Sequence, residues 1–372
     1  MTTFRKLRIK LSRPVFPRCW RIVSHWVSRV KLTECKRILV VKPSSLGDII
    51  HTLPAVEAIH RAVPDAKIDW LVNTGWSPLL KDVTFLDRII SFPRKEFRGI
   101  SGGLKAVTWA KRVLQQTHYD LTLDFQGLFR SALLSRLTKT SRVMGFQKTR
   151  EGASLFYDEK VMVQNWSATH AVDRNLALAK AAGADIVYPN FGLPEGDPVE
   201  GLTPMSDKPT ILLHPFSRGG GKSLSTNEVI ELADQLAPTP IILVGVFEGN
   251  APGMWPDNIT DLIGQTSLPQ LIHLIRLCNW TVSVDSGPMH LAAGITDRVL
   301  SLHTWSNPAM VGPWPKSSYA FREGEIVQVI DLTPDRFPER RDLKSAYGKQ
   351  PRLFKPDDIR TITSFLRMQL AK

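Results

Sequence analysis

Short apolar runs alternate with stretches in which apolar positions recur at helical spacing, and this alternation continues from residue 37 to about residue 303. Arg37-Ile38-Leu39-Val40-Val41 reads as a buried strand, rich in β-branched residues. After a turn, Ile49, Leu53, Val56, Ile59 and Val63 follow a helical period that Pro64-Asp65 ends, which predicts one helix. Further strands are predicted at residues 68–72, 88–92, 121–125 and 142–146, and a helix over 170–182 stops at Gly183. Breakers then accumulate: Pro189, Gly192, Pro194, Gly196, Pro198, Gly201, Pro204 and Pro209 mark a boundary between two halves.

The second half restarts with strands at 210–214, 241–245, 281–285 and 298–303, separated by helical stretches such as 225–236 and 268–277. Strand–helix alternation on both sides of a Pro/Gly linker predicts an α/β protein of two Rossmann-like, doubly wound parallel sheets facing across a cleft. The expected division is an extension at 1–36, a first domain at 37–190, a linker at 191–209, a second domain at 210–330, and a tail with a C-terminal helix at 331–372. That helix, about residues 355–370, has the first half as a candidate docking surface. Ligands of such sheets bind beyond the carboxyl ends of the strands, so the loops after the strands are where chemistry is sought.

Composition changes the picture mainly through charge. The 372 residues carry a formal net charge of +13, which favours an anionic partner. Much of it lies before Cys35, where Arg5, Lys6, Arg8, Lys10, Arg13, Arg18, Arg21, Arg29 and Lys31 face the single acid Glu34. Trp20, Trp26 and aliphatic residues interleave with these bases, as in a segment lying at a membrane interface; a solvated extension is the alternative. No apolar h-region of a secretory signal follows, and no stretch reaches the roughly 20 apolar residues of a membrane span. Cys19, Cys35 and Cys278 are too few and too scattered for a disulfide framework or a zinc pattern, and a reducing cytoplasm is the simplest setting.

Three loops after strands can carry chemistry. Lys42-Pro43-Ser44-Ser45-Leu46-Gly47-Asp48 leads into a helix; Asp48 is a candidate general base there, or simply a helix cap. His214-Pro215-Phe216-Ser217-Arg218-Gly219-Gly220-Gly221-Lys222-Ser223 offers glycines and a lysine as a phosphate cradle, or a flexible turn. Phe216 stands where a Walker motif needs Gly, so an NTPase is set aside. Val284-Asp285-Ser286-Gly287-Pro288-Met289-His290 begins a helix with a capping serine and an early proline, an anion-binding start. Here Asp285 can instead be a cap and His290 a packed helix residue. No GxGxxG follows the first strand, which removes a dinucleotide-dependent dehydrogenase.

At these loops the sequence resembles the ADP-heptose:lipopolysaccharide heptosyltransferases, glycosyltransferase family 9, and most the branch that adds the first heptose. The strongest block is residues 42–55, Lys42-Pro43-Ser44-Ser45-Leu46-Gly47-Asp48-Ile49-Ile50-His51-Thr52-Leu53-Pro54-Ala55. Supporting blocks are Asp124-Phe125-Gln126-Gly127-Leu128 with Arg130-Ser131, Arg150-Glu151 with residues 153–157, His170-Ala171-Val172-Asp173-Arg174, and Val284-Asp285-Ser286-Gly287 with His290.

The resemblance implies a GT-B architecture, with the first domain binding acceptor and the second binding nucleotide sugar. It implies an inverting transfer of heptose from ADP-heptose to Kdo-lipid A at the cytoplasmic face of the inner membrane, with no metal and no cofactor. Asp48 would be the base. Lys222, Ser286, Gly287 and His290 would hold the donor, Asp285 the heptose hydroxyls, and Glu248 the ribose. Ser217 lies near a phosphate-contacting position in a loop about one residue longer than the family's. Ser45, Gly47, Arg61, Arg94, Arg98 and Arg130, with Lys95, are candidates for the acceptor side.

Two segments depart from the family pattern. Where the family has a Tyr/Phe-Gly-Pro-Thr-like turn, this chain reads His303-Thr304-Trp305-Ser306-Asn307-Pro308, and residues 331–351 form an Arg- and Lys-rich tail. A related transferase with another donor or acceptor, and a non-catalytic binder of nucleotide sugars or glycolipids, are the competing readings. Nucleic-acid binding explains the charge but not the ordered loops, and no nucleic-acid partner is expected.

Overall fold

The computed structural model describes residues 31–97, 100–186, 190–202, 208–217, 221–246, 254–347 and 353–372. The basic extension up to residue 30 lies outside them. In the first half the strands are β1 (Arg37–Val41), β2 (Lys67–Asn73), β3 (Arg88–Phe92), β4 (Leu121–Asp124), β5 (Val143–Phe146) and β6 (Glu159–Val161). They form a parallel sheet in the order β3-β2-β1-β4-β5-β6. Its helices are α1 (Leu46–Ile50), α2 (Leu53–Ala62), α3 (Ile100–Val113), α4 (Phe129–Leu137) and α5 (Ala171–Ala182).

β1 explains the layering. Its residues alternate between faces: Ile38 and Val40 join a core with α2 and α5, whereas Leu39 and Val41 join one with Ala110 of α3 and Leu134 of α4. A strand buried on both faces must be apolar throughout, which is why the run Ile38-Leu39-Val40-Val41 shows no polar alternation. α5 runs from the His170 cap to Gly183, whose left-handed φ of 118° closes it.

The second half holds β7 (Ile211–His214), β8 (Ile241–Leu243), β9 (Ile259–Asp261), β10 (Trp280–Val284), β11 (Val299–Leu302), β12 (Tyr319–Arg322) and β13 (Glu325–Gln328). The order is β9-β8-β7-β10-β11-β12-β13, parallel except for the final β12–β13 hairpin. Its helices are α6 (Thr226–Leu236), α7 (Leu268–Leu277), α8 (Gly287–Ala293), α9 (Pro308–Val311), α10 (Arg341–Tyr347) and α11 (Pro356–Leu370). Both sheets are therefore Rossmann-like and doubly wound, as the strand–helix alternation predicts.

The sheet orders also locate the ligand crevices. In the first sheet the chain reverses direction between β1 and β4, and in the second between β7 and β10. Crevices open beyond the carboxyl ends of strands at such points. The loops that follow β1, β7 and β10 are the three singled out in the sequence.

The halves share apolar contacts. One core cluster contains Leu53, Ile59 and Leu79 from the first half together with Leu271, Ile275, Met289 and Val299 from the second. The chain between them is strapped along α7: Arg276 Nη2 donates to the carbonyls of Leu193 and Pro194 at 2.9 Å each, and Asp197 N–H donates to Pro269 O at 3.1 Å.

Two expectations are corrected. Residues 49–63 form two helices, α1 and α2, rather than one. Pro54, in the first turn of α2, supplies no N–H and its ring crowds the carbonyl four residues back, so the ladder breaks at His51-Thr52. The C-terminal helix docks on the second half, not the first. Ile359, Ile362 and Leu366 of α11 enter the core with Val229 and Leu232 of α6, and Glu228 accepts from the N–H groups of Leu353 and Phe354 at 2.7 Å. Helical periodicity gives α11 its apolar stripe but does not say which surface receives it.

Candidate active site

The loop after β1 is fixed from below. Lys42 is buried; its Nζ donates to Phe125 O at 2.9 Å and lies 3.9 Å from Asp48 Oδ1. Ser45 caps α1, and Asp48 Oδ2 accepts from Ser45 N–H at 2.9 Å and from Ser45 Oγ at 2.7 Å. The capping role considered for Asp48 is thus realised, yet its side chain keeps 45% exposure and turns Oδ1 toward Lys42. Burial pushes the Asp48 carboxyl up, but the Lys42 ammonium and the two Ser45 bonds outweigh it and hold the group below its ordinary value. Burial pulls the Lys42 ammonium down, with Asp48 and Asp124 opposing.

Asp124 anchors the floor. It is fully buried at the end of β4 and accepts from Tyr157 Oη and Ser131 Oγ at 2.8 Å each, and from the N–H groups of Gln126 and Gly127. Burial raises its pKa against those bonds. Its carboxyl pins the turn that carries Phe125 O to Lys42.

In the second half, Ser286 stands at the N-cap of α8, with Pro288 in its first turn. The loop after β7 folds back through Ser217 N–H donating to Ser223 Oγ at 2.8 Å. Lys222 Nζ donates to Asp285 Oδ2 at 2.5 Å and lies 5.0 Å from the centroid of the Trp305 ring. Burial raises the Asp285 carboxyl, but His303, Lys222 and Ser306 together bring it below the usual carboxylate value. Thr304 Oγ1 donates to Gly221 O at 2.7 Å, so the turn after β11 braces the glycine loop.

The two halves meet through glycines. A Cβ on Gly47 would lie 2.8 Å from His290 Cδ2, and a Cβ on Gly287 would lie 2.7 Å from Leu46 Cδ2. α1 and the start of α8 approach this closely only because both positions lack a side chain. Beside the contact opens a cavity of about 670 Å³ whose wall includes Ser45, Gly47, Ser217, Ser286 and Gly287. His214, Trp76, Val246 and the Ser267-Leu268 start of α7 complete it.

Five of the candidate residues thus share one cavity, and the Lys222–Asp285 pair adjoins it through Ser223 and Ser286. His290 does not face it. Its Nδ1 is 2.9 Å from His51 Nε2, its ring packs on Gly47, and burial lowers its pKa to about 4. His290 is packed in the domain contact and does not line the cavity. Arg61 is not brought in either: it ends α2, remote from Asp48, and pairs with Glu57 at 2.9 Å. Arg94 follows the carboxyl end of β3 and Arg130 begins α4, both exposed on the Asp48 side of the sheet. Glu248 and Arg98 lie outside the described residues.

Sequence reasoning quoted Lys42 and Arg174 within blocks but gave them no role. Arg174 lies over the Trp166 ring at 4.6 Å, and burial lowers its pKa while Asp48 raises it. A lysine at the end of a buried strand is the signal that could have identified Lys42, since burial without a partner is so costly. Among the described residues, no group of three or more His, Cys, Asp or Glu is arranged to hold a metal, and no helix is long and apolar enough to cross a membrane.

The model of glycosyltransferase family 9 (heptosyltransferase) matches residues 107–332. Lipopolysaccharide heptosyltransferase 1 of Salmonella typhimurium is 28% identical over 333 residues, covering 84% of this chain and 99% of the relative. The protein of the same description from Escherichia coli K12 is 29% identical, covering 77% and 93%. Among solved structures, E. coli heptosyltransferase WaaC with ADP superposes with a TM-score of 0.68 at 23% identity, over 90% of this chain and 99% of that one. The family 9 glycosyltransferase of Veillonella parvula gives 0.72 at 18% identity, over 91% and 98%.

Proposed function

The chain belongs to glycosyltransferase family 9, the heptosyltransferases, and from that premise we propose that it transfers L-glycero-D-manno-heptose from ADP-heptose to Kdo-lipid A in lipopolysaccharide inner-core synthesis. One observation supports this most: the Asp48 loop and the α8 helix start, each at the switch point of its own sheet, open onto the same cavity.

In the proposed reaction an acceptor hydroxyl attacks the anomeric carbon while its proton passes to the Asp48 carboxylate. The carbon–oxygen bond to the diphosphate breaks on the opposite face, ADP leaves with the bonding electrons, and the configuration inverts. Asp48 is ionised at neutral pH but a weak base, so its contribution depends on the acceptor hydroxyl becoming acidic as the new bond forms. Lys222 and the N–H groups at the start of α8 stabilise the charge that gathers on the leaving diphosphate. Asp285 orients Lys222 and contacts heptose hydroxyls, and Glu248 contacts the ribose. The reaction as proposed needs no metal, so excess EDTA leaves the rate unchanged.

The first domain takes the acceptor. Ser45, Gly47, Arg94 and Arg130 lie on the edge of the first sheet that a phosphorylated, lipid-linked sugar would meet, and Arg98 belongs to the same segment. The protein works at the cytoplasmic surface of the inner membrane, held there by its acceptor and its basic extension. Trp305 beside Lys222 favours a second reading, the same chemistry on a different nucleotide sugar.

The test is ADP release from ADP-heptose, with and without Kdo-lipid A, in the wild type and Asp48→Asn. Release that requires both acceptor and Asp48 supports the mechanism. Release unchanged in Asp48→Asn overturns the base, and a wild type that ignores ADP-heptose but turns over another nucleotide sugar establishes the second reading.

A further inference from the structure

The two segments that depart from the family pattern meet in space. Arg322, fully buried on β12, donates Nη1 to Ser306 O at 2.6 Å and to Phe337 O at 3.2 Å, and Nη2 to Pro338 O at 3.0 Å. One guanidinium thereby fastens the turn after β11 to the tail. Asn307 Nδ2 donates to Pro334 O at 2.7 Å, and Arg340 N–H donates to Trp305 O at 3.0 Å. Phe337, Leu332 and Val329 pack with Ala309 and Ala320 beneath. The described part of the tail, to Lys344, docks on the second half.

That docking carries α10 to Trp305, the residue beside Lys222. Lys344 of α10 places its Nζ 5.4 Å from the centroid of the Trp305 ring, and Lys222 Nζ lies 5.0 Å from the same centroid. The two ammonium nitrogens are therefore no more than about 10 Å apart. The electron-rich face of an indole attracts cations, which accounts for their gathering at Trp305.

Charge distinguishes the two lysines. Lys222 is matched by Asp285 at 2.5 Å, so that pair is neutral as a whole. The neighbouring histidines add nothing at neutral pH, because burial lowers His214, His290 and His303 to about 4. A nucleotide sugar brings a negative charge on each phosphate. Among the described residues Lys344 has no carboxylate within ion-pair distance, and it is exposed. An arriving diphosphate can engage it without competing with an acid of the described residues.

We infer that Lys344, delivered by the docked tail and held at Trp305, is a second diphosphate-binding cation of the donor site. The inference rests on the proposed donor chemistry and gives the tail a function: it supplies the positive charge that Asp285 offsets at Lys222.

Calorimetric titration with ADP and with AMP, on the wild type, Lys344→Met and Lys344→Arg, tests this. Met keeps the apolar stem against Trp305 and removes only the charge. The expected result is about a tenfold loss of ADP affinity in Lys344→Met and a similar rise in donor KM, with acceptor KM unchanged. AMP should lose distinctly less, and Lys344→Arg should stay within about threefold of wild type. ADP affinity within about twofold of wild type in Lys344→Met overturns the inference, as does an equal loss for ADP and AMP. A wild type that binds UDP but not ADP sinks the ADP-heptose reading alone, and the same ratio read with UDP then decides Lys344. A wild type that binds no nucleoside diphosphate sinks both.

Discussion

Lys222 Nζ and Asp285 Oδ2 stand 2.5 Å apart, joining the loop after β7 to the loop after β10 across the switch point of the second sheet. The carboxylate side is 9% exposed and the ammonium side 19%, so each compensates the other for leaving water, Asp285 with His303 and Ser306 beside it.

Lys222→Met should therefore do two separable things. It removes a cation from the leaving diphosphate, with an expected fall in kcat of about 10²–10³. It also strands Asp285, which should cost roughly 3 kcal/mol in urea unfolding. Adding Asp285→Asn should restore much of the stability and none of the rate. Recovery of both would mean that Lys222 acts only through its partner.

Asp48 serves as cap and as proposed base, and two substitutions separate these. Both Asp48→Asn and Asp48→Ala should lower transfer about 10²–10⁴-fold while leaving ADP affinity within about twofold. Both lose the charge that faces buried Lys42, and Asp48→Ala should lose about 1 kcal/mol more stability than Asp48→Asn, because Asn keeps an acceptor for Ser45. Equal stability in the two variants would show the cap to be energetically idle.

The pH response has two origins. Asp48 is held below its ordinary value, so its limb in kcat/KM should lie below the ordinary carboxylate range. An acid limb near pH 6 in the wild type that vanished in Asp48→Asn would contradict this. Stability follows the histidines. His170 is lowered to about 3, and His214, His290 and His303 to about 4, from an unfolded value near 6.5. Between those limits the unfolded chain binds more protons, so stability rises with pH. Their contribution is complete above about pH 6.5 and disappears as pH falls toward 4. Urea midpoints at pH 7.5 and 5.0 should differ accordingly, the lower at pH 5.0.

Gly47→Ala places a Cβ 2.8 Å from Cδ2 of a buried histidine ring that is itself held by His51. The ring cannot yield cheaply, and a loss of about 1–3 kcal/mol is expected, with weaker transfer. Gly287→Ala meets Leu46 at Cδ2, Cγ and Cβ, at 2.7, 2.9 and 3.2 Å; a rotamer change cannot move the Cβ, so a similar loss is expected. A much milder Gly287→Ala would mean that α1 shifts to absorb the strain.

Local signals placed the strands well because each is a short apolar run bounded by polar turns. β1 and β10 were readable for that reason, and their following loops came with them. What failed to be legible depended on distance along the chain. Nothing near His290 announces His51, 239 residues away, so the contact between the two rings is invisible in the sequence. Nothing near Lys344 announces Trp305, and the docking surface of α11 is decided by Glu228, more than 120 residues upstream. Arg61 shows the converse. Its charge suits an anionic acceptor, but it is the ninth of the ten residues of α2, about 12 Å along the helix from its start.

The core that joins Leu79 to Leu271 makes neither half a portable module. A chimera that grafts residues 210–330 onto another first domain would inherit the donor loops but also an apolar flank shaped for Leu53, Ile59 and Leu79. Recombination between relatives should succeed only where that flank travels with its counterpart.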